Sequence, residues 1–261
     1  MDIFALLRLF PGKSGSGGAY LPLWMHNEDT AAVIEYLCTC RVSDSVLKAC
    51  DLSRKNFKKV AVFLAMVHDI GKCTPLFTSR IELFVPHIKY LLEIEGLIVP
   101  LPDKFIYPKA SPHPIAGEAI LLSLGVPPGL CSVVGAHHGK PSADMRDIND
   151  QLTVYKSNLC ATQKSLWESL WRELLQRALD RAGYSDVSEL PELSCCAQML
   201  LCGLLIQSDW IASNEIYFPL LPADEKGDQV QYPARSDRAI RILDLPDCRC
   251  MKAAFSDPDE L

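Results

Sequence analysis

An all-α domain is the fold this chain predicts. Apolar residues recur at helical spacing through most of its length, prolines fall where first helical turns are expected, and no run of alternating strands is visible. At 261 residues the chain is long enough to bury one large core.

The elements follow in order. Residues 11–19, rich in glycine and serine, read as a loop. Gly12-Lys13-Ser14 is similar to the end of a phosphate loop, but Leu7 stands where that motif needs glycine and no strand is evident before it, so a nucleotide P-loop is excluded. His26 opens a helix carrying Ala31, Ala32, Ile34, Tyr36 and Leu37 on one face. Phe57 to Val67 is a dense apolar helix, and Gly71 beyond it suits a left-handed cap. Residues 80–98 predict another helix, broken or kinked at Pro86. Pro114 fits the first turn of a helix running to about Leu124. Pro127-Pro128 begins the next, which ends at His137-His138-Gly139.

Further on, Leu166, Trp167, Leu170, Trp171, Leu174, Leu175, Ala178 and Leu179 trace an amphipathic stripe, with the tryptophans read as core. Cys195 to Ser213 predicts a buried helix. From Asn214 the chain turns rich in proline and aspartate, with one short helical piece near Arg238 to Leu243 and the acidic tail Asp257-Pro258-Asp259-Glu260. The expected organisation is one domain over residues 1–220 and an irregular C-terminal arm or linker over 221–261.

Composition narrows the function classes. Apolar residues make up 49% and charged residues 22%, ordinary values for a soluble domain. The longest apolar run, Met199 to Ile206, is too short to span a bilayer, so no membrane partner is expected. The start lacks the basic leader of a secretory signal, so the expected location is cytoplasmic. Eleven cysteines are an odd count with no C-x-x-C pair, which favours reduced thiols over disulfides or structural zinc. The net charge of −6 disfavours wrapping duplex DNA by bulk electrostatics, although bound cations would supply local positive charge. The basic run Arg54-Lys55-Asn56-Phe57-Lys58-Lys59 reads as the solvated first turn of a helix.

The histidines are the informative residues. Five of the six stand where packing explains them poorly: His26, His68 in His68-Asp69-Ile70-Gly71-Lys72, His113 between two prolines, and the adjacent His137 and His138. His87 reads as solvated. Asp209 lies among Leu204, Leu205, Ile206, Trp210 and Ile211, where an unpaired carboxylate is costly to bury. Neutral imidazoles together with carboxylates suit a catalytic pair of transition-metal ions, and therefore a metal-dependent hydrolase. Residues 68 and 69 diverge by about 100° on a regular helix, but at a frayed helix end both can face one point.

On these residues the chain resembles the HD superfamily of metal phosphohydrolases, and within it the HD nuclease domain of the CRISPR-associated nuclease-helicase recruited by type I Cascade systems. Four stretches carry the likeness: Pro11-Gly12-Lys13-Ser14 with Leu21 to His26 and Asp29 to Val33; Val67 to Lys72 with Pro75-Leu76-Phe77; Ser111 to Glu118 followed by Gly135-Ala136-His137-His138-Gly139; and Ser208 to Asn214 with Tyr217-Phe218-Pro219. The resemblance covers about residues 10–220 and implies an HD-domain helical bundle. It further implies that His26, His68, Asp69 and Asp209 hold one metal, and that His113, His137 and His138, with Asp69 bridging, hold a second. Lys72 would lie near the substrate phosphate, with Asp69 and Lys72 the residues at the reacting centre. The implied activity is cleavage of single-stranded DNA, with two divalent ions drawn from Mn, Fe, Co or Ni. The implied partners are a helicase domain or subunit and the Cascade surveillance complex.

Three rivals are weighed against this. A phosphodiesterase of the HD-GYP type shares the His-Asp-Ile-Gly-Lys string, but Gly139-Lys140-Pro141 replaces its Glu and Gly-Tyr-Pro after the paired histidines. A nucleotide phosphohydrolase of the same superfamily would show similar chemistry. A non-catalytic helical scaffold with relic ligands would be expected to have lost one, yet every expected position is filled.

Overall fold

Helix α4 (Arg54–Val67) is the axis on which the other elements assemble. Ser53 caps its start, accepting a hydrogen bond from the Asn56 amide at 3.2 Å. Of the basic run, Arg54, Lys55 and Asn56 are exposed in its first turn, Phe57 is buried and Lys58 and Lys59 are half-buried, and from Val60 to Val67 every residue is buried. A helix apolar all round has to be covered on several sides. Here α2 (Leu23–Cys40), α11 (Lys164–Ala182) and α12 (Cys195–Ala212) pack against it. Each Phe or Leu so enclosed contributes roughly 1.5–3 kcal/mol. Trp167 is fully buried, and the Trp171 indole N–H donates to the Cys73 carbonyl at 2.7 Å, so both tryptophans of the predicted stripe are core.

The computed structural model describes residues 2–81, 85–142, 144–222 and 232–243. The described residues also include α1 (Ile3–Leu9), α3 (Asp44–Cys50), α5 (Pro75–Ile81), α6 (Pro86–Ile94), α7 (His113–Ser123), α8 (Pro128–Gly135), α9 (Met145–Leu152), α10 (Lys156–Cys160) and α13 (Tyr232–Leu243). The all-α expectation holds. Pro86 begins a new helix rather than kinking one, and Pro114 sits in the first turn of α7 as predicted. Every described cysteine is free. The acidic tail and Cys248-Arg249-Cys250 lie outside the described residues.

Two expectations about whole elements fail. Residues 11–19 are not simply a loop: β1 (Pro11–Ser14) and β2 (Tyr20–Pro22) form an antiparallel hairpin. Tertiary context makes it, because Tyr20 and Leu21 are buried and Tyr20 also bridges to Leu221. Nor is α12 buried all round. Ala197, Leu201, Leu205, Ser208 and Ala212 face the core, whereas Met199 and Trp210 are 76% and 72% exposed. Among the described residues α12 is the one helix whose length and composition reach those of a bilayer span. It carries Asp209 and packs one face on α2, α4 and α8, as a core helix of a globular domain does.

The helical piece expected near residues 238–243 begins earlier, at Tyr232, and is anchored by a buried ion pair. Arg235 Nε and Nη2 reach Asp29 of α2 at 3.1 and 3.0 Å, while Nη1 donates to the Pro219 carbonyl at 2.9 Å. The Asp29 side chain is fully buried and that of Arg235 is 8% exposed. Removing one partner of such a pair strands the other, so Arg235→Ala is expected to cost about 3 kcal/mol. Arg235→Lys, which keeps charge but loses the fork, should recover only part of that. Urea unfolding midpoints measure both; an unchanged midpoint for the alanine variant contradicts the assignment.

Candidate metal centre

Local backbone geometry at the end of α4 turns His68 and Asp69 toward one point. The helix proper stops at Val67, His68 keeps helical angles, and Asp69 moves to φ −101°, ψ 14° before a short 3-10 turn over Ile70–Lys72. Gly71 in that turn is not left-handed, so the expected cap is wrong. It is glycine because a Cβ there would lie 2.0 Å from the His113 carbonyl oxygen and 2.7 Å from the Gly117 amide nitrogen. That close approach seats α7, with His113 at its start, directly on the 3-10 turn. The paired histidines follow α8, which packs on α7 in turn. His26 comes from the first turn of α2, and Asp209 from the last turn of α12.

Asp69 lies at the centre and is 3% exposed. Its Oδ2 is 3.4 Å from His26 Nε2, 3.4 Å from His68 Nε2 and 2.6 Å from Lys72 Nζ. Its Oδ1 is 3.3 Å from His113 Nε2 and 3.6 Å from His137 Nε2. Asp209 Oδ1 is 3.0 Å from His26 Nε2 and 3.7 Å from His68 Nε2. His138 Nε2 stands 3.0 Å from His113 Nε2, with its ring centroid 4.5 Å from that of His137. All eight side chains expected at the site therefore converge. His87 is exposed, its ring edge-on to Tyr20, and takes no part.

Two sets of nitrogens and oxygens result, each close enough to hold one ion: His26, His68 and Asp69, and His113, His137 and His138. The tautomers suit ligation. His68 Nδ1 donates to the Ala65 carbonyl at 2.7 Å and His137 Nδ1 to the Val134 carbonyl at 2.6 Å, which leaves both Nε2 lone pairs facing the cluster. Those two Nε2 atoms are buried without a hydrogen-bond partner. Orphaned buried acceptors are costly, and a cation satisfies them, so the residues present fit a metal. The Ala65 and Val134 carbonyls that orient the rings are invisible to a sequence reading, since any residue supplies one. Ser213 is a second omission: its hydroxyl donates to Asp209 Oδ1 at 3.0 Å.

The electrostatics agree. Burial works against ionising Asp69, but Lys72 and His68, with His113 and His137 close by, hold its carboxyl well below the usual range. Asp209 is held low in the same way against burial, by His26 and His68. Burial pushes His26 and His113 down to about 4, so both are neutral near pH 7. His68 goes the other way; the burial penalty is outweighed by Asp69 and Asp209.

These shifts predict acid lability of the metal-free protein. With unfolded values near 6.5 and folded values about 4, the unfolded chain binds more protons at His26 and His113 across that window. Their stability contribution is therefore lost as pH falls from about 6.5 toward 4; raised His68 acts above that window, where its contribution is lost as pH rises, and does not offset the acid loss. Thermal melts in chelator across this range should show a falling Tm; a constant Tm contradicts the shifts.

The comparisons with known proteins point the same way. Residues 12–218 match the family model described as "Cas3, HD domain". The chain belongs to that family. The Cas3 HD domain is the metal-dependent nuclease domain of CRISPR systems. The chain is 36% identical over 225 residues to the CRISPR-associated nuclease/helicase Cas3 of Streptococcus thermophilus, covering 79% of this chain and 24% of that protein. It thus spans about a quarter of the curated relative. A crystal structure of a CRISPR-associated protein superposes with a TM-score of 0.70 at 25% identity, over 92% of this chain and 26% of the other. The Thermus thermophilus Cas3 HD domain, crystallised in the presence of Ni2+, matches with a TM-score of 0.51 at 23% identity, covering 94% and 93% of the two chains, a likeness of fold.

Proposed function

We propose that this Cas3-type HD domain hydrolyses the phosphodiester backbone of single-stranded DNA using a pair of divalent cations. The observation that carries the reading is Asp69, one of whose oxygens faces His26 and His68 while the other faces His113 and His137. A carboxylate shared in this way is the natural bridge of a two-cation site. In this reading Asp209 completes the ligand set of His26 and His68, and His138 that of His113 and His137. Cations held there supply Lewis-acid polarisation of a phosphoryl oxygen and a bound water acidified toward neutrality. Imidazole-rich ligation favours Mn, Fe, Co or Ni over Mg.

The chain's own residues do the rest. Asp69 keeps a fixed negative charge between the two imidazole sets. His68 and His137 hold their Nε2 lone pairs toward the centre because their Nδ1 protons are committed to backbone carbonyls. Lys72, anchored at 2.8 Å to the Gly12 carbonyl, brings an ammonium to the same point, where it would offset charge on a phosphate. The full ligand set and the assignment of Lys72 belong to this proposal, as does the division at residue 220 into nuclease unit and arm. A helicase domain or subunit feeding the strand, recruitment by Cascade and a cytoplasmic setting complete the reading. The helicase element is supported by the nuclease/helicase name of the relative, of which this chain matches about a quarter.

The test is a cleavage assay on labelled single-stranded DNA, blunt duplex, deoxynucleoside triphosphates and cyclic dinucleotides, across Mn, Fe, Co and Ni with chelator as control. Single strands should be cut in a chelator-sensitive manner, and duplex poorly. Turnover confined to the small nucleotides, or cutting unaffected by chelator, overturns the proposal.

A further inference from the structure

The motif Gly12-Lys13-Ser14, excluded as a nucleotide loop, lies against the metal centre. The β1–β2 hairpin sits on the first turn of α2 at very close range: a Cβ on Gly12 would be 3.0 Å from Leu23 Cα and 3.1 Å from His26 Cβ. Lys72 Nζ donates to the Gly12 carbonyl at 2.8 Å. The next residue, Lys13, is held in register opposite Leu21, and its ammonium donates to the Ser213 hydroxyl. That hydroxyl donates onward to Asp209 Oδ1 at 3.0 Å. Lys13 therefore stands one hydroxyl away from the carboxylate beside His26 and His68. Lys72 reaches the same ligand group from the other carboxylate, Asp69, at 2.6 Å.

We propose that Lys13 is a second phosphate-contacting residue of this site, forming with Lys72 a two-ammonium clamp on the substrate's phosphodiester. An ammonium has no lone pair, so Lys13 cannot be a ligand. The charges that act on it are Asp209, Lys72, Asp69 and Glu215. It is half-buried, and burial, with the neighbouring Lys72 ammonium, lowers its pKa from the ordinary lysine value against the pull of those carboxylates. Two ammonium groups gathered in a partly desolvated place need anions opposite them. Of these carboxylates Asp69 and Asp209 are the ones the site commits to cations, and Glu215 acts on Lys13 least of the four charges, which leaves the substrate phosphate as the further anion for the clamp. Lysine is suited to this as a point charge without the bidentate demand of arginine.

The inference rests on the phosphodiester reading of the site, and the experiment separates the two. The whole chain, loaded with Mn2+ and assayed for metal content and Tm, is compared as wild type, Lys13→Met, Lys13→Gln and Lys13→Arg. The glutamine variant keeps a hydrogen bond to Ser213 without the charge, whereas the arginine variant keeps the charge. The readouts are KM and kcat for bis(p-nitrophenyl) phosphate and, independently of turnover, the calorimetric affinity for inorganic phosphate. Loss of one charge-assisted contact should weaken phosphate binding about tenfold or more in the Met and Gln variants, with metal content unchanged and Arg partly restoring it. Wild-type phosphate affinity in Lys13→Met overturns the proposal. So does full rescue by glutamine, or a loss that follows metal content, since both make Lys13 only a support for Ser213 and Asp209. If wild type binds phosphate but cuts no single-stranded DNA, the DNA reading fails while the clamp is still measured.

Discussion

Replacing Asp69 with alanine is expected to eliminate cleavage and metal binding together while leaving a folded helical protein. The side chain is shared by both imidazole sets, so its removal opens a gap in each, whereas loss of a single histidine affects one. Loss of a single preorganised charge-stabilising group already costs about 10²–10³ in rate, and a bridging ligand should cost at least the upper figure. The fold should survive because the apolar residues of α4, buried from Val60 to Val67, do not depend on the carboxylate. Asp69→Asn, nearly isosteric but without charge, should share the loss of metal, which separates charge from shape. Cleavage retained by Asp69→Ala at matched protein and Mn2+ concentrations would sink the bridging role. His87→Ala, at an exposed position outside the cluster, should retain full activity.

Much of the centre was legible because its chemistry resides in side-chain identity. His68-Asp69, His137-His138 and Asp209 are residue types that a core does not explain, and helix periodicity placed them at element ends. The misses have a different character. The hairpin at residues 11–22 is stabilised by burial of Tyr20 and Leu21 against distant parts of the chain, which local propensity does not contain. Helix α12 is apolar enough to read as enclosed, yet exposes Met199 and Trp210; apolarity marks a face fit for covering, not what covers it. The pairing of Asp29 with Arg235 joins residues 206 positions apart, and nothing in either neighbourhood announces the partner. Gly71 was visible as a special residue, but for the wrong reason. A glycine in sequence signals either a left-handed backbone or close approach, and only three-dimensional neighbours distinguish them.

That distinction makes Gly71→Ala the sharpest structural test. Were Gly71 a left-handed cap, alanine would cost about 1 kcal/mol and leave the histidines where they are. With an added Cβ 2.0 Å from the His113 carbonyl oxygen and 2.7 Å from the Gly117 nitrogen, backbone must move instead. Overpacking of this kind costs about 1–3 kcal/mol where side chains yield, and a rigid helix start should place the variant at or above the upper end. The displacement falls on α7, so the consequence is directional. His113 should shift away from Asp69 and from the His137–His138 corner, while His26 and His68 stay on their own helices. Metal titration should then show one site near its wild-type affinity and the other weakened about 10- to 100-fold, as when a ligand's orientation is lost. Gly117→Ala is the matched control: its Cβ would meet neighbours only at 3.3–3.4 Å, and a shift of a few tenths of an ångström accommodates it. Equal effects from the two substitutions, or loss of both metal sites at once in Gly71→Ala, would show that α7 is not held on the 3-10 turn by the contact that demands a glycine.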